Sequence, residues 1–217
     1  MIFFPQYIEH TLLKPEATKA DIEKLCAEAE QYEFYGVCIN PCYISLAKRR
    51  LASSTVKVIS VVGFPLGATF TEIKSRETQL AIDSGADEID MVMNIADFKS
   101  GEYEKVQKEI AVVVNAAGEK PVKVIIETAL LTREEKQKAC KIVIAGGAAF
   151  VKTSTGFSSH GAVIADIELI KSMVRGSGVG IKAAGGIRDR ATIEAMINAG
   201  ADRIGTSAGV RIMAEDA

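Results

Sequence analysis

The stretch SGADEID, residues 84–90, joins a helical pattern to a β-branched run, and the same joint recurs twice further along the chain. AGGAAFV (145–151) and AGADRIG (199–205) repeat the order of a small residue, a glycine and then a strand pattern. Glycine commonly ends a helix because it adopts the left-handed backbone conformation without steric cost. A joint that recurs in this form predicts a chain in which helices and strands alternate.

Short β-branched runs alternate with longer helical patterns along the whole sequence. We predict eight strands, at 7–12, 36–40, 56–63, 87–94, 122–128, 150–155, 179–184 and 202–207. Helical patterns separate them, as at 19–32 and at 71–85, where Ile73, Leu80 and Ile82 mark one apolar face. Eight βα units predict an α/β fold, a (β/α)₈ TIM barrel in which residues 1–217 form a single domain.

The competing architecture is a doubly wound open sheet, which the same alternation allows. No G-x-G-x-x-G follows the first strand, and this disfavours the dinucleotide-binding form of the open sheet. We therefore favour the barrel.

The composition excludes several classes of partner. The 217 residues include 26 basic and 28 acidic ones, with a net charge of −2, and no basic block points to nucleic acid. No apolar run is long enough to span a membrane, and MIFFPQYIEH (1–10) lacks the features of a secretory signal. Four cysteines form no CxxC pair, which is typical of reduced thiols, so we expect a cytoplasmic protein.

Three charged residues are predicted to point into the barrel. In DEIDMVM (87–93) the residues Ile89, Met91 and Met93 form an apolar face suited to the outer helices, so Asp90 points inward. The same alternation turns Lys152 and Lys182 inward on strands six and seven. All three lie near the carboxyl ends of their strands, where the chemistry of such barrels takes place.

Two neighbouring inward lysines suit one kind of chemistry. A lysine that is partly desolvated and beside a second cation loses its proton more easily, and a neutral amine adds to a carbonyl carbon to form a Schiff base. The alternative is that each lysine reaches solvent or pairs with Asp90. Two inward lysines together with an inward aspartate favour the catalytic interpretation.

Two glycine-rich turns follow strands seven and eight. AAGGIRDR (183–190) contains Gly185 and Gly186, and GTSAG (205–209) contains Gly205. Exposed backbone N–H groups at such turns, where a helix begins, bind anions, and barrels often hold a phosphate there. The alternative is that these glycines only shape tight turns. Their place beside a reactive lysine predicts a phosphorylated substrate.

Six motifs in order resemble the deoxyribose-phosphate aldolase family: EHTLLKP (9–15), GVCINP (36–41), DEIDMVMN (87–94), KVIIET (123–128), VKTSTGF (151–157) and KAAGGIR (182–188). The resemblance covers nearly the whole chain. It implies a class I aldolase that reversibly cleaves 2-deoxy-D-ribose 5-phosphate to acetaldehyde and D-glyceraldehyde 3-phosphate through a lysine Schiff base. It implies no cofactor and no metal, small phosphorylated sugars and aldehydes as partners, and a homo-oligomer.

The resemblance also assigns roles by position. The Schiff-base lysine falls on Lys152, the activating lysine on Lys182 and the proton-relay aspartate on Asp90. The substrate and phosphate contacts fall on Thr11, Gly156, Gly185, Gly186, Gly205 and Ser207.

Two positions depart from the family pattern. The first strand of the family commonly reads DHTLLKP, and here Glu9 replaces the aspartate. Some members carry a carboxyl-terminal tyrosine that assists proton transfer, whereas the last tyrosine in this sequence is Tyr103.

Other interpretations make different demands on the sequence. A metal-dependent class II aldolase needs a cluster of histidines, and only His10 and His160 are present. A class I lyase of the transaldolase or bisphosphate-aldolase kind is the enzymatic alternative, and a phosphate-binding barrel protein is the non-enzymatic one. Lys123 and Glu127 share a strand face and are expected to pair inside the barrel.

Overall fold

Eight parallel strands close a barrel in the computed structural model, which describes residues 4–214. The strands are β1 (Ile8–Leu12), β2 (Gly36–Ile39), β3 (Lys57–Val62), β4 (Glu88–Val92), β5 (Val122–Ile125), β6 (Phe150–Lys152), β7 (Gly180–Ala184) and β8 (Arg203–Thr206). Each strand pairs with the next along the chain, and β8 closes the barrel on β1 with Ile204 opposite Ile8. The predicted (β/α)₈ barrel is therefore confirmed, and the open sheet is excluded.

Helices surround the barrel on the outside. They are α1 (Lys19–Gln31), α2 (Ile44–Arg50), α3 (Thr71–Asp83), α4 (Ile95–Lys99), α5 (Tyr103–Ala117), α6 (Arg133–Ala145), α7 (Ile164–Val174), α8 (Arg190–Ala199) and α9 (Gly209–Ala214). Thr18 and Thr132 begin α1 and α6 with capping boxes, each accepting from the backbone of the third helical residue. No helix within residues 4–214 has the length and apolar character needed to cross a membrane.

The three recurring helix-to-strand joints share one backbone feature, a glycine with a positive φ. Gly85, Gly147 and Gly200 have φ values of +104°, +79° and +117°, and the next strand begins at Glu88, Phe150 and Arg203 respectively. Glycine alone adopts these angles freely, so the joint fixes the direction in which each strand leaves its helix.

The main hydrophobic core lies between the barrel and the helices. Ile89, Met91 and Met93 are buried there, as the alternation of β4 predicts. A smaller apolar cluster that includes Cys38, Ile59 and Val61 is separate from this core. Because β4 turns its apolar side outward, Asp90 is left inside the barrel.

Two details of the prediction are wrong. Strand β5 ends at Ile125 rather than at 128, because the backbone turns left-handed soon after it, with a φ of +53° at Glu127, and β6 ends at Lys152 rather than at 155. The predicted apolar face of α3 does not hold together, because Ile73 and Leu80 are 54% and 49% exposed whereas Ile82 packs against the main core.

The inner face of α3 carries a buried ion pair instead. The Lys74 ammonium lies 2.7 Å from a Glu109 carboxylate oxygen on α5 and donates to the Val92 carbonyl at 2.8 Å. These contacts compensate the buried charge of Lys74, which the helical pattern alone would place in solvent. They also join α3 and α5 to the carboxyl end of β4, two residues beyond Asp90.

Candidate active site

A cleft of about 410 Å³ opens at the carboxyl ends of the barrel strands. Seven of the nine residues predicted for the site line it: Thr11, Lys152, Gly156, Gly185, Gly186, Gly205 and Ser207. The other two, Lys182 and Asp90, are fully buried and contact each other. The structure thus brings the strand residues and the loop residues of the prediction to one place.

The register of the barrel sets the spacing of the charged groups. Lys152 and Lys182 are direct neighbours across β6 and β7. Their ammonium groups lie 2.7 Å and 2.6 Å from the same oxygen, Oδ2 of Asp90. Of the two lysines, only Lys152 borders the cleft.

A third lysine, Lys123, completes the cluster and corrects one prediction. Its ammonium lies 2.9 Å from Oδ1 of Asp90 and 2.5 Å from Oε2 of Glu88. It is not paired with Glu127, which instead accepts hydrogen bonds from the backbone N–H and the hydroxyl of Thr155. The left-handed backbone at Glu127 takes that residue out of the strand, so alternation no longer holds there.

Glu9 bridges two of the lysines from the first strand. One of its carboxylate oxygens accepts a hydrogen bond from the ammonium of Lys182, and the other lies 3.3 Å from the ammonium of Lys123. The side chain is fully buried. The carboxylate at this position is therefore part of the charge cluster.

The buried charges perturb one another. Burial opposes ionisation of Asp90, but Lys123, Lys152 and Lys182 outweigh it and hold the pKa of that carboxyl well below its usual range. Burial also opposes the charge on Lys182, yet Asp90 and Glu9 outweigh it and raise its pKa. The pKa of Lys123 is raised in the same way against burial, by Asp90, Glu9 and Glu88. Lys182 and Lys123 are thus held as cations, and Asp90 as an anion.

The two glycine turns also line the cleft. Gly185 and Gly186 have φ values of +86° and +77°. The hydroxyl of Thr206 donates to the carbonyl of Ile187 at 2.7 Å and so joins the two turns. The arrangement offers backbone N–H groups beside a site open to solvent.

The start of α8 differs from the sequence-based expectation. The helix begins at Arg190, and Asp189 caps it by accepting from the backbone N–H of Thr192 at 2.8 Å. The first turn of the helix is thereby supplied with its own anion. The glycine turn, rather than this helix terminus, is the part that borders the cleft.

Nine further residues line the cleft, and three of them, two cations and an aromatic residue, bear on what it can bind. Lys14 and Arg188 bring two cations to the cleft, Lys14 from just after β1 and Arg188 from just after Gly186. Phe157 is 53% exposed at the cleft and packs edge-to-face against Phe64, with ring centroids 5.4 Å apart. The sequence signal that could have identified Lys14, Arg188 and Phe157 was their position within the motifs EHTLLKP, KAAGGIR and VKTSTGF, respectively.

The two histidines lie in different surroundings. His10 is buried and its Nε2 lies 2.9 Å from a carboxylate oxygen of Glu28, whereas His160 is exposed. Within residues 4–214 one set of potential metal ligands, Glu9, Cys38 and Asp90, comes within 4.8 Å of one another. Lysine ammonium groups already contact both of those carboxylates, which disfavours a cation there.

A family model described as DeoC/LacD family aldolase matches residues 5–215. The chain belongs to this aldolase family. Deoxyribose-phosphate aldolase of Brevibacillus brevis is 54% identical over 208 residues, which cover 96% of this chain and 94% of that protein. Deoxyribose-phosphate aldolase of Thermococcus gammatolerans is 56% identical over 212 residues, with coverage of 96% and 94%.

The aldolase fold is also similar to solved structures. The deoxyribose phosphate aldolase of Aeropyrum pernix, described as having a unique tetrameric structure, is 33% identical with a TM-score of 0.92. The match covers 98% of this chain and 90% of that one. A second structure, described as QR15, an aldolase, is 42% identical with a TM-score of 0.95 and covers 100% and 96% of the two chains.

Proposed function

We propose that this aldolase reversibly cleaves 2-deoxy-D-ribose 5-phosphate to acetaldehyde and D-glyceraldehyde 3-phosphate, with Lys152 as the Schiff-base residue. The observation that carries this proposal is the position of Lys152. It borders the cleft and has one carboxylate partner, Asp90. Lys123 and Lys182 have fully buried side chains, and each contacts two or more carboxylates.

The difference in partners decides which lysine reacts. A nucleophilic amine must be neutral and must reach the carbonyl carbon. Lys182 and Lys123 are held as cations by the carboxylates around them, so they do not meet the first condition. They instead surround Asp90, and Lys182 adds positive charge directly beside Lys152.

In the proposed reaction, the Lys152 amine adds to the C1 aldehyde of the open-chain sugar, and loss of water from the carbinolamine gives a protonated imine. Removal of the proton from the C3 hydroxyl lets the C2–C3 bond break. Its electron pair moves into the imine to leave an enamine, and the C3 fragment departs as D-glyceraldehyde 3-phosphate. Protonation of the enamine at C2 and hydrolysis of the imine release acetaldehyde and regenerate Lys152.

Asp90 and Lys182 serve the proton transfers of this sequence. Asp90 contacts both ammonium groups through one oxygen, so a proton can pass between Lys152 and Lys182 or a bound water by a short path. Lys182 remains charged and stabilises negative charge that develops at the carbinolamine oxygen.

The phosphate of the substrate is proposed to bind at the glycine turns. Gly185, Gly186, Gly205 and Ser207 line the cleft, and backbone N–H groups in such turns bind anions. Thr11 and Gly156 line it as well. Lys14 and Arg188 supply positive charge on the same side. A phosphate bound at these turns would orient C1, at the other end of the sugar, toward the Lys152 amine.

We also propose that the protein associates with copies of itself and works in the cytoplasm. The Aeropyrum pernix relative is described as a tetramer, which supports self-association. The four cysteines are free thiols, three of them buried, which supports a reducing compartment.

The direct test is to incubate the protein with 2-deoxy-D-ribose 5-phosphate and follow release of acetaldehyde. We expect turnover by the wild type and none by Lys152→Arg, because arginine stays protonated and cannot add to a carbonyl. The unphosphorylated sugar should give a much higher KM, because it lacks the anion that the glycine turns bind. Near-normal turnover by Lys152→Arg would overturn the assignment of the Schiff-base residue.

A further inference from the structure

The loop after β6, which we define as residues 153–163, directly follows Lys152 and leads to α7. The turn after β7, which we define as residues 184–187, lines the cleft with all four of its residues. The loop after β6 contacts this turn at two places, around Thr153 and around Gly161. Neither of these two residues lines the cleft itself.

Thr153 makes the first contact with the turn after β7. Its side chain is fully buried, and its hydroxyl accepts a hydrogen bond from the Ala184 N–H at 3.1 Å and donates one to the Ala184 carbonyl at 3.2 Å. Its own backbone N–H donates to the Lys182 carbonyl at 3.1 Å. Thr153 therefore bonds the residue next to Lys152 to the first residue of the turn.

Gly161 makes the second contact, from the other end of the loop. A Cβ on Gly161 would lie 2.1 Å from the carbonyl oxygen of Gly185, so only glycine allows the two backbones to come this close. Gly161 does not have a positive φ, so the close approach, and not the backbone angle, requires a glycine here. The next residue, Ala162, donates its N–H to the carbonyls of Ala184 and Gly185 at 3.0 Å and 3.1 Å.

The two contacts together fix the position of the turn after β7 relative to Lys152. The path through Thr153 is one residue and one side chain long, and the contact at Gly161 holds the same turn a second time. A reactive group and the site that anchors its substrate must keep a fixed separation, since a misplacement of about 1 Å can cost about 100-fold in rate.

We propose that Thr153 and Gly161 are positioning residues that set the spacing between the Lys152 amine and the turn that binds the substrate phosphate. This inference rests on the proposed function, because it assumes that the phosphate binds at that turn. Binding energy from the phosphate places C1 at the amine only if the spacing is correct. Loosening either contact should therefore harm the phosphorylated sugar selectively, whereas an unphosphorylated sugar does not use the turn.

The first test compares Thr153→Val with Thr153→Ser. Valine has nearly the same shape but removes both side-chain hydrogen bonds to Ala184, whereas serine keeps a hydroxyl that can form them. We expect Thr153→Val to lower kcat/KM for 2-deoxy-D-ribose 5-phosphate by about tenfold or more and to leave kcat/KM for 2-deoxy-D-ribose within about threefold of wild type. Thr153→Ser should restore the wild-type ratio between the two substrates.

The second test compares Gly161→Ala with Gly146→Ala. Gly146 also lacks a positive φ, and a Cβ there would lie 2.5 Å from the Ile110 side chain, but it stands at the end of α6 and does not line the cleft. Both variants should show a lower melting temperature. Only Gly161→Ala should lose its preference for the phosphorylated sugar, by about tenfold or more.

The outcomes separate this proposal from the proposed function. Equal losses on both sugars, or an unchanged ratio, in Thr153→Val and Gly161→Ala would overturn the positioning role and leave the proposed function standing. A wild type that does not cleave the phosphorylated sugar would overturn the proposed function. Calorimetric titration with inorganic phosphate, which needs no turnover, then decides the positioning role, because equal affinity in the wild type and in both variants would overturn it.

Discussion

Three lysines and three carboxylates lie together inside the barrel, and their unequal contacts separate their roles. Lys152 contacts one carboxylate, while Lys182 contacts two and Lys123 three. Asp90 is the one residue that all three lysines share. Changes at Asp90 and Lys182 therefore test the electrostatic part of the proposed mechanism.

Replacing Lys182 by Met removes the cation nearest to Lys152 and keeps an unbranched side chain. We expect kcat at neutral pH to fall by about tenfold or more, because the variant lacks the positive charge that stabilises negative charge at the carbinolamine oxygen. Steady-state kinetics measure the effect, with KM expected to change less than kcat. A kcat within a few-fold of the wild-type value would contradict the electrostatic role.

Replacing Asp90 by Asn preserves the shape of the side chain but removes the charge that relays protons. We expect kcat to fall by about 100-fold or more, the usual range for a general acid–base group, while KM changes less. The melting temperature should fall as well, because three buried lysines would face two carboxylates.

Glu88→Gln is the matched control for Asp90→Asn. Glu88 belongs to the same cluster because one of its carboxylate oxygens lies 2.5 Å from the Lys123 ammonium, but it does not contact Lys152. We expect a similar loss of melting temperature with kcat within a few-fold of wild type. Equal losses of kcat in the two variants would show that Asp90 acts only through stability.

Individual residues of this cluster were only partly predictable from the sequence. Alternation along β4, β6 and β7 placed Asp90, Lys152 and Lys182 inside the barrel, since those strands keep the regular pleat. The partner of Lys123 was predicted wrongly, because nothing in the local pattern reveals that the backbone at Glu127 turns left-handed. The bridge made by Glu9 depends on barrel closure and so required the three-dimensional fold.

At the scale of elements, the turn after β7 tests the phosphate site. Gly186 has a φ of +77° and no atom within 4 Å of the place where a Cβ would stand. Gly178, before β7, has a φ of +80° and the same open surroundings. Alanine at either position costs roughly 1–2 kcal/mol of backbone strain.

We expect Gly186→Ala alone to raise the KM for 2-deoxy-D-ribose 5-phosphate, because it strains the turn that borders the cleft. Gly178→Ala should lower the melting temperature to a similar extent with an unchanged KM. Kinetics and melting curves on the same preparations measure both effects. A rise in KM shared by both variants would contradict a phosphate site at the turn after β7.

The elements themselves follow closely from the sequence, with errors at their ends and on their faces. All eight strands form where β-branched runs and glycine joints predict them. The face of α3 was predicted wrongly because a buried ion pair between Lys74 and Glu109 replaces the usual apolar contact. A helical pattern records which residues are apolar, but it does not record which side a neighbouring carboxylate will occupy.

At the scale of the whole molecule, the buried charges make stability depend on pH in a definite way. The pKa of Asp90 is lowered in the folded state. Its contribution is full above the pKa of an unfolded aspartate, about 3.9, and is lost as pH falls through the folded pKa. The raised pKa values of Lys123 and Lys182 work in the opposite direction. Their contribution is full below about pH 10 and is lost as pH rises through the folded values.

We therefore expect the difference in melting temperature between wild type and Asp90→Asn to stay constant from about pH 5 to 9. The difference should shrink only below about pH 4, where the unfolded aspartate takes up a proton. Calorimetric melting across this range measures it. A difference that already shrinks near pH 6 would show that Asp90 is not held as an anion in the folded state.

The central claim is that Lys152 forms the covalent intermediate, and trapping that intermediate tests it most directly. The protein is incubated with acetaldehyde and sodium borohydride, its intact mass is measured, and the modified lysine is located by peptide mapping. We predict the addition of one N-ethyl group, located on Lys152, and no addition to Lys152→Arg. An adduct on Lys182 or Lys123 in the wild type, or no adduct at all, would contradict the account.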